Sequence, residues 1–491
     1  MTDSNPAILW FRRDLRLGDN PALQAAIDSG RPLLACFLLD ETRDEWRSLG
    51  GAARWWLHRS LDALQADLAR HGLTLFLKRG PAGDLLREIA GSSGADRIYC
   101  NRLPEPAEAA ADREIARSLA ADGITLEQHD AALLFPPPQP LNGSGAPYKV
   151  FSAFWRACLA LPEPSGPLPL PGRPRAAACS RTGADRLADW KLLPTAPDWS
   201  GGLQAAWSPG EQGAHRCLEA FMEGAARTYA ADRDLPGKTT TSRLSPHLHW
   251  GEISPRALWH AMRTAAASGA LGSRHAEKFI AELGWREFSH HLLYHYPTLP
   301  THNMNPRFDA FAWADPDRDR PTGAALRAWQ RGRTGYPIVD AGMRELWHSG
   351  WMHNRIRMVA ASFLVKDLRI DWRHGAAWFW DTLVDADRAN NSASWQWVAG
   401  CGADAAPFFR IFNPVLQGRK FDADGDYVRH WVPELAGLPD RHLHAPWQAP
   451  AEILAGADVR LGDSYPRPVV EHAEARRHAL AAFAAIKEAA E

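Results

Sequence analysis

Four short apolar runs open the chain: Ala7–Trp10, Pro32–Leu39, Leu73–Leu77 and Arg97–Cys100. Each is too short for a helix, and each is nearly continuous rather than alternating, the pattern of a strand buried on both faces. Between and after them lie Ala52–His71, Gly83–Ala90 and Glu105–Ala121, where apolar positions recur every three to four residues. This rhythm predicts an α/β N-terminal domain with a parallel sheet and helices on both faces. It carries no G-x-G-x-x-G, so it is not the usual dinucleotide-binding half. From Phe135 to about Trp207 the chain turns Pro- and Gly-rich around one aromatic helical piece, Val150–Ala160. That composition predicts a connector running over the surface with the helix docked. Beyond Gly210 the period becomes helical throughout: His215–Asp232, Pro255–Ala267, His275–Tyr296, Gly323–Arg331, Val339–Ser349, Arg355–Leu368 and Gly375–Asp385. The expected division is 1–132 (α/β), 133–209 (connector) and 210–491 (a large all-α domain).

Composition adds one oddity to this outline. Of 491 residues 22 are Trp, against 18 Phe and 8 Tyr, and 13 of the Trp lie between residues 221 and 440. Indole is a costly core filler because its N–H needs a partner when buried, so the excess points to stacking or to a task only indole performs. Hydrophobic residues at 45% and charged residues at 23% exclude wholesale disorder. No apolar run reaches membrane-spanning length, and MTDSNPAILWFRRD meets charge too early for a signal peptide. The six Cys (36, 100, 158, 179, 217 and 401) form no C-x-x-C pair, which argues for a reducing cytoplasmic setting and against a zinc or disulfide framework. Net charge is −1, with 26 Lys+Arg against 24 Asp+Glu in 221–440, so a nucleic-acid partner would need a local basic patch.

Four segments concentrate chemistry. Thr239–Ser245 (TTTSRLS) offers hydroxyls, backbone N–H groups and Arg243 to an anion such as a pyrophosphate, or is a capped loop. Asp385-Ala386-Asp387-Arg388-Ala389-Asn390-Asn391, followed by Trp395-Gln396-Trp397, places carboxylates and amides that can read the edge of a flat heteroaromatic ring. In Glu282-Leu283-Gly284-Trp285-Arg286-Glu287-Phe288, Glu282 and Arg286 are spaced for an ion pair, with Trp285 between them. In Trp351-Met352-His353-Asn354-Arg355-Ile356-Arg357-Met358, Asn354 and Met358 share one helix face. His291 and His295 are one turn apart, but no third ligand is evident and no metal is expected.

Seven motifs now stand in order: LWFRRDLRLGDNPAL from Leu9, TSRLS, WREF, TGYPIVDAGMR, WMHNRIRM, DADRANN with WQW, and FRIFNP. Together, from about Ala7 to Trp447, they resemble the photolyase/cryptochrome family. The resemblance implies an N-terminal domain carrying an antenna chromophore and a helical domain holding FAD. By motif matching it implies cofactor binding by Tyr229, Thr241, Ser242, Leu244, Ser245, Phe279, Arg286, Asn354, Arg357, Asp385, Asp387 and Asn391. Asn391 would sit beside flavin N5; plant cryptochromes carry Asp at this position, and an amide favours repair over signalling.

Members that repair (6-4) lesions carry two His at the positions of Asn354 and Met358, because that reaction moves a proton. The substitution here implies a cyclobutane pyrimidine dimer in UV-damaged DNA, split by an electron from excited FADH⁻. A dimer flipped from the duplex would stack on Trp285 and Trp397, meet Glu282 and Arg355 at its base edges, pack on Met358 and reach Arg233 at the rim. Trp395, Trp372 and Trp313 are the expected electron-transfer chain, with Trp378 and Trp380 as alternatives to Trp313, which needs an insertion within Ala314–Thr322 to fit the family spacing. The antenna is 5,10-methenyltetrahydrofolate or 8-hydroxy-5-deazaflavin; Glu108 matches a folate contact, while Ala107 replaces the Asn expected beside it. A monomer is expected. The competing readings are a cryptochrome-type blue-light receptor and a nucleotidyl-transfer enzyme; the second lacks its signature motifs.

Overall fold

The apolar runs become strands in the computed structural model, which describes residues 5–42, 48–170, 172–177, 183–404 and 409–488. They are β1 (Ala7–Phe11), β2 (Leu33–Leu39), β3 (Leu75–Arg79) and β4 (Arg97–Asn101), joined by a fifth, β5 (Thr125–His129). All pair in parallel in the order β3-β2-β1-β4-β5. The fifth strand escapes an apolar scan because its sequence, TLEQH, is polar and no residue in it is fully buried. A first helix, α1 (Pro21–Asp28), was also not anticipated; Asn20 caps it by accepting from Leu23 N at 3.1 Å. Three helices match the expected periods: α2 (Gly51–Arg70), α3 (Ala82–Ser93) and α4 (Pro106–Ala121). Ile8, Trp10, Cys36 and Ile98 pack with Leu86 of α3 and Ile115 of α4 on one face, while α1 and α2 contact the sheet by their own faces.

The remaining helices are α5 (Phe151–Leu159), α6 (Gly201–Ala206), α7 (Glu211–Glu223), α8 (Tyr229–Asp232), α9 (Ser245–His249), α10 (Pro255–Ala267) and α11 (Ser273–His295). Then come α12 (Arg320–Gln330), α13 (Pro337–Ser349), α14 (Asn354–Ser362), α15 (Trp372–Thr382), α16 (Arg388–Ala399) and α17 (Pro414–Phe421). The chain ends with α18 (Asp426–Trp431), α19 (Asp440–Leu443), α20 (Ala451–Gly456) and α21 (His472–Glu488). The single helix expected over His215–Asp232 is divided, because α7 stops at Gly224, whose φ of −118° and ψ of −95° are not helical. The one expected over Arg355–Leu368 is α14 running into a π-helical turn, Phe363–Asp367. No described helix is long and apolar enough to cross a membrane.

Two compact units result, Met1–Arg227 with Ser242–Pro297, and Thr228–Thr241 with Thr298–Glu491. This partition follows packing, whereas divisions at residues 132 and 209 follow changes of element type; α9, α10 and α11 are helical yet pack in the first unit. The connector in that unit is also more ordered than its composition implies. Leu33 N donates to Arg175 O (2.7 Å) and Ala177 N to Leu33 O (2.9 Å) at the start of β2. Asp185 N then bonds Leu77 O (2.8 Å), while the Asp185 carboxylate accepts from Arg79 N (2.8 Å) and Trp190 Nε1 (2.9 Å), on the free edge of β3.

In the second unit the core gathers Trp329, Phe363, Trp372, Phe379 and Trp395. The TGYPIVDAGMR motif is part of this architecture. Fully buried Asp340 accepts from Thr334 N and Oγ1 (2.6 and 2.7 Å), Gly335 N (3.0 Å) and Tyr465 OH (2.7 Å), tying the turn before α13 to the C-terminal segment.

Candidate functional site

In the first unit, the loop ahead of α9 turns at Arg243, which sits at a φ of 54°, an unusual conformation for a side chain of its size. Its guanidinium lies over the Trp207 ring at 4.3 Å, and buried Leu244 pins the loop while Ser245 stays exposed. Ser242 Oγ accepts from Leu244 N at 3.4 Å. Backbone N–H groups and hydroxyls are thus gathered on one short turn, a donor set suited to phosphate oxygens.

Four expected residues share α11, and it divides them. Phe279 is buried 5.1 Å from Phe221. Glu282 pairs with Lys278 one turn back at 3.0 Å. Arg286 turns the other way, donating to Ala132 O (2.8 Å) and Glu287 Oε1 (3.2 Å). Buried Glu287 also accepts from Leu134 N and Phe135 N, and burial raises its pKa. Arg286 is therefore anchored to the start of the connector. Trp285 stacks on Phe151 of α5 at 3.7 Å and 9°, so one face of the indole is covered and at most the other can receive a base. Sequence reasoning missed Phe151, although the spacing of Phe151, Phe154 and Trp155 marks one helix face. Gly284 permits the contact, because a Cβ there would come within 2.6 Å of Trp155. His291, one turn on, accepts from Tyr148 N (3.1 Å), and burial lowers its pKa to about 4.

In the second unit, a cluster forms where α14 and α16 begin. Arg357 donates from Nη2 to Asp385 Oδ2 (2.8 Å) and from Nε to Met352 O (2.7 Å). Asp387 caps α16, its Oδ1 accepting from Asn390 N (2.7 Å) and Nδ2 (2.8 Å). The run of carboxylates and amides is thus a helix start, with Asp387 Oδ1 serving as the cap. Asn391 donates from Nδ2 to Ala376 O at 3.0 Å, which fixes the amide. Asn354 is exposed and Met358 half-buried. Arg355 binds Asp234 at 2.7 Å and lies over Phe421 at 4.4 Å, while Arg233 lies over Tyr229 at 5.3 Å. Thr241 is half-buried at the end of this unit's short inserted segment.

His353 joins these groups and carried no signal in the sequence. Its Nε2 donates to Arg233 O (2.9 Å), and its Nδ1 accepts from Arg355 N (3.1 Å), capping α14. Burial lowers its pKa to about 4, against the pull of the bond to Arg233 O.

The tryptophans of this unit are set in turn. Trp395 is buried edge-on to Phe379 (5.0 Å) and Trp329 (6.3 Å). Gly375 makes room for it, since a Cβ would meet the indole at 2.1 Å. Trp372 is fully buried and donates to Asn303 Oδ1 at 2.8 Å. Trp313 packs on Phe311 at 4.4 Å, and its neighbour Ala314 bridges to Ile370, with Ala314 N on Arg369 O at 2.8 Å. Trp313 is therefore held beside the strand-like segment that leads into Trp372. Trp378 stacks with exposed Trp347 at 5.9 Å, and Trp397 donates to Asp404 O at 3.0 Å.

Known proteins match both ends of the chain. The description "DNA photolyase" fits residues 7–173, and "FAD binding domain of DNA photolyase" fits residues 279–485. The chain is 49% identical over 482 residues to deoxyribodipyrimidine photo-lyase of Agrobacterium fabrum, covering 98% of each. It is 38% identical over 482 residues to cryptochrome-1 of Arabidopsis thaliana, covering 96% of this chain and 69% of that one. Its structure is similar to that of a bacterial class III photolyase from Agrobacterium tumefaciens, with a TM-score of 0.94, 48% identity and 99% of each chain covered. With that likeness over almost its whole length, and with both halves of the family pattern present, the chain belongs to the DNA photolyase/cryptochrome family.

Proposed function

We propose that this protein is a deoxyribodipyrimidine photo-lyase that uses light and FAD to split cyclobutane pyrimidine dimers in UV-damaged DNA. The observation that carries the choice of lesion is at the start of α14. Asn354 and Met358 offer no acid or base, and His353, the residue before Asn354, has both nitrogens engaged in holding the backbone. A ring-splitting reaction that needs only an electron in and an electron out suits such a site; one that moves a proton does not. FAD, when bound and reduced, supplies that electron on excitation.

The family likeness assigns the residues their parts toward that group. By it Thr241, Ser242 and Ser245 are assigned to the phosphates, and Tyr229, Leu244, Phe279 and Arg286 to the cofactor. Arg357, Asp385, Asp387, Asn354 and Asn391 orient the ring system. Trp285, Trp397, Glu282, Arg233, Arg355 and Met358 receive the lesion. Residues 1–132 form the antenna part and 210–491 the catalytic part. Trp313, Trp372 and Trp395 carry charge inward, a reading supported by the bridge between Ala314 and Ile370.

The antenna is a folate or a deazaflavin. Glu108 lies 3.9 Å from Arg13, and the crevice at the ends of β1 and β4 holds Arg12, Asp14, Asn101 and Asp112 in mutual hydrogen bonds, so the chromophore is expected outside that crevice. The absorption spectrum of native holoprotein identifies it. The function is tested by blue-light repair of a thymine-dimer oligonucleotide. Repair in light and none in the dark is expected; a flavin-loaded protein without repair would make it a photoreceptor. Blue-light photoreduction unchanged in Trp313→Phe would remove Trp313 from the chain.

A further inference from the structure

Cys217 stands apart from the other described cysteines. Cys36, Cys100, Cys158 and Cys401 are buried, and burial raises their pKa values, to about 11 for Cys100 and about 12 for Cys158 and Cys401. Cys217, on α7, is half-buried, and its Sγ lies 3.7 Å from Nε2 of His247 on α9. Cys179 lies outside the described residues.

His247 is fully buried and held on every side. Its Nδ1 pairs with Glu252 Oε2. The other oxygen of Glu252 accepts from Trp56 Nε1 (3.0 Å) and Gly210 N (2.8 Å), so the carboxylate cannot turn away. The Trp56 ring stands edge-on to the imidazole at 5.2 Å. Gly213 closes the remaining side: a Cβ there would lie 3.4 Å from the imidazole Cε1. The Nε2 edge is left facing the thiol. A nucleophile, a base within reach of it, and a third group that orients the base are the parts of an activated cysteine.

We propose that Cys217, His247 and Glu252 form a reactive-thiol site whose substrates are small two-electron oxidants and soft electrophiles, hydrogen peroxide foremost. The thiol proton passes to His247 Nε2, and Glu252 holds the resulting imidazolium. A sulfur lone pair attacks one peroxide oxygen, the O–O bond breaks, and the departing hydroxide takes the proton from Nε2. The sulfur is oxidised by two electrons to sulfenic acid, and the second peroxide oxygen leaves as water. Burial works against a charged imidazole here, but the thiol and Glu252 outweigh it and raise the pKa of His247 to about 9. His215, whose pKa its hydrogen bond to Glu211 raises, interacts electrostatically with His247, and Glu211 and Glu219 act in turn on His215.

The test uses intact protein, iodoacetamide at a series of pH values, and peptide mass spectrometry. Labelling of Cys217 near neutral pH at least several-fold faster than that of free cysteine under the same conditions is expected, as a thiol with an oriented base at its sulfur requires. Dimedone after a peroxide pulse should tag Cys217 and none of the four buried thiols. In Glu252→Gln, which keeps the size of the side chain, labelling near neutral pH should slow at least tenfold, and Cys217→Ser should abolish the dimedone adduct. A labelling rate in the unmodified protein no faster than that of free cysteine across the pH series would overturn the proposal without recourse to any variant.

Discussion

Arg12 with Asp112 and Arg357 with Asp385 are the same chemical pair at nearly the same separation, 2.7 and 2.8 Å, one in each unit. Their settings differ. Both side chains of the first pair are 7% exposed; Arg12 spends its terminal nitrogens on Asp112, Asn101 O and Cys100 Sγ, and Asp112 accepts again from Gln128 at 2.7 Å. In the second, Asp385 is buried but Arg357 is a quarter exposed. A buried ion pair is therefore no marker of a binding site. Hydrogen-bonding capacity left at the surface is the better marker, and only the second pair has it.

The largest effect should come from breaking the sealed pair. Arg12→Leu leaves Asp112 charged and buried, a loss of about 3–5 kcal/mol. It should appear as earlier urea unfolding followed by fluorescence; a shift worth less than about 1 kcal/mol would erase the contrast. Acid should come next. His353 titrates near 4 when folded and near 6.5 when unfolded, so below the higher value the unfolded chain takes up the proton first. Its contribution is complete above about pH 6.5 and is lost as pH falls toward 4, up to about 3 kcal/mol, and His291 behaves alike in the first unit. Melting at stepped pH measures this, and in His353→Gln the acid limb should be shallower. Arg357→Ala should cost less stability than Arg12→Leu, because water can enter where the quarter-exposed guanidinium was and reach Asp385, but should lower flavin content about tenfold or more, the worth of one charge-assisted hydrogen bond; a full flavin complement with the larger loss of stability would reverse the roles of the two pairs. Arg357→Lys should do least, keeping the charge but losing the fork, and lowering flavin content only a few-fold.

Four strands and most helices were legible because their apolar periods are long and unmixed. What escaped did so for physical reasons. β5 is a polar edge strand whose place is set by backbone pairing with β4. The first turn of α16 carries two residues of low helix propensity, Asn390 and Asn391, and the helix is started by the Asp387 cap, which in sequence looks like one more group set to read a ring edge. Motif matching singled out Arg357 and Asp385 but gave no sign that they pair. It gave no hint of His353, whose task is to hold the carbonyl of Arg233, nor of Phe151, which takes one face of Trp285. In sequence Trp313 rests on spacing alone, with an insertion needed within Ala314–Thr322. In space, the bridge from Ala314 to Ile370 explains why Trp313 sits beside the approach to Trp372.

The connector strap along β3 has a consequence for how copies of this protein behave toward one another. A parallel sheet that ends in an apolar strand presents unpaired N–H and C=O groups that any other extended chain can zip onto. Here Asp185 occupies Leu77 O and Arg79 N, and Trp190 covers Phe37 at 6.2 Å. A segment rich in proline, which reads as a spacer, thus shields the sheet from self-association. Asp185→Pro, which removes both the N–H on Leu77 O and the carboxylate on Arg79 N, should raise light scattering on standing while the rest of the fold is still intact.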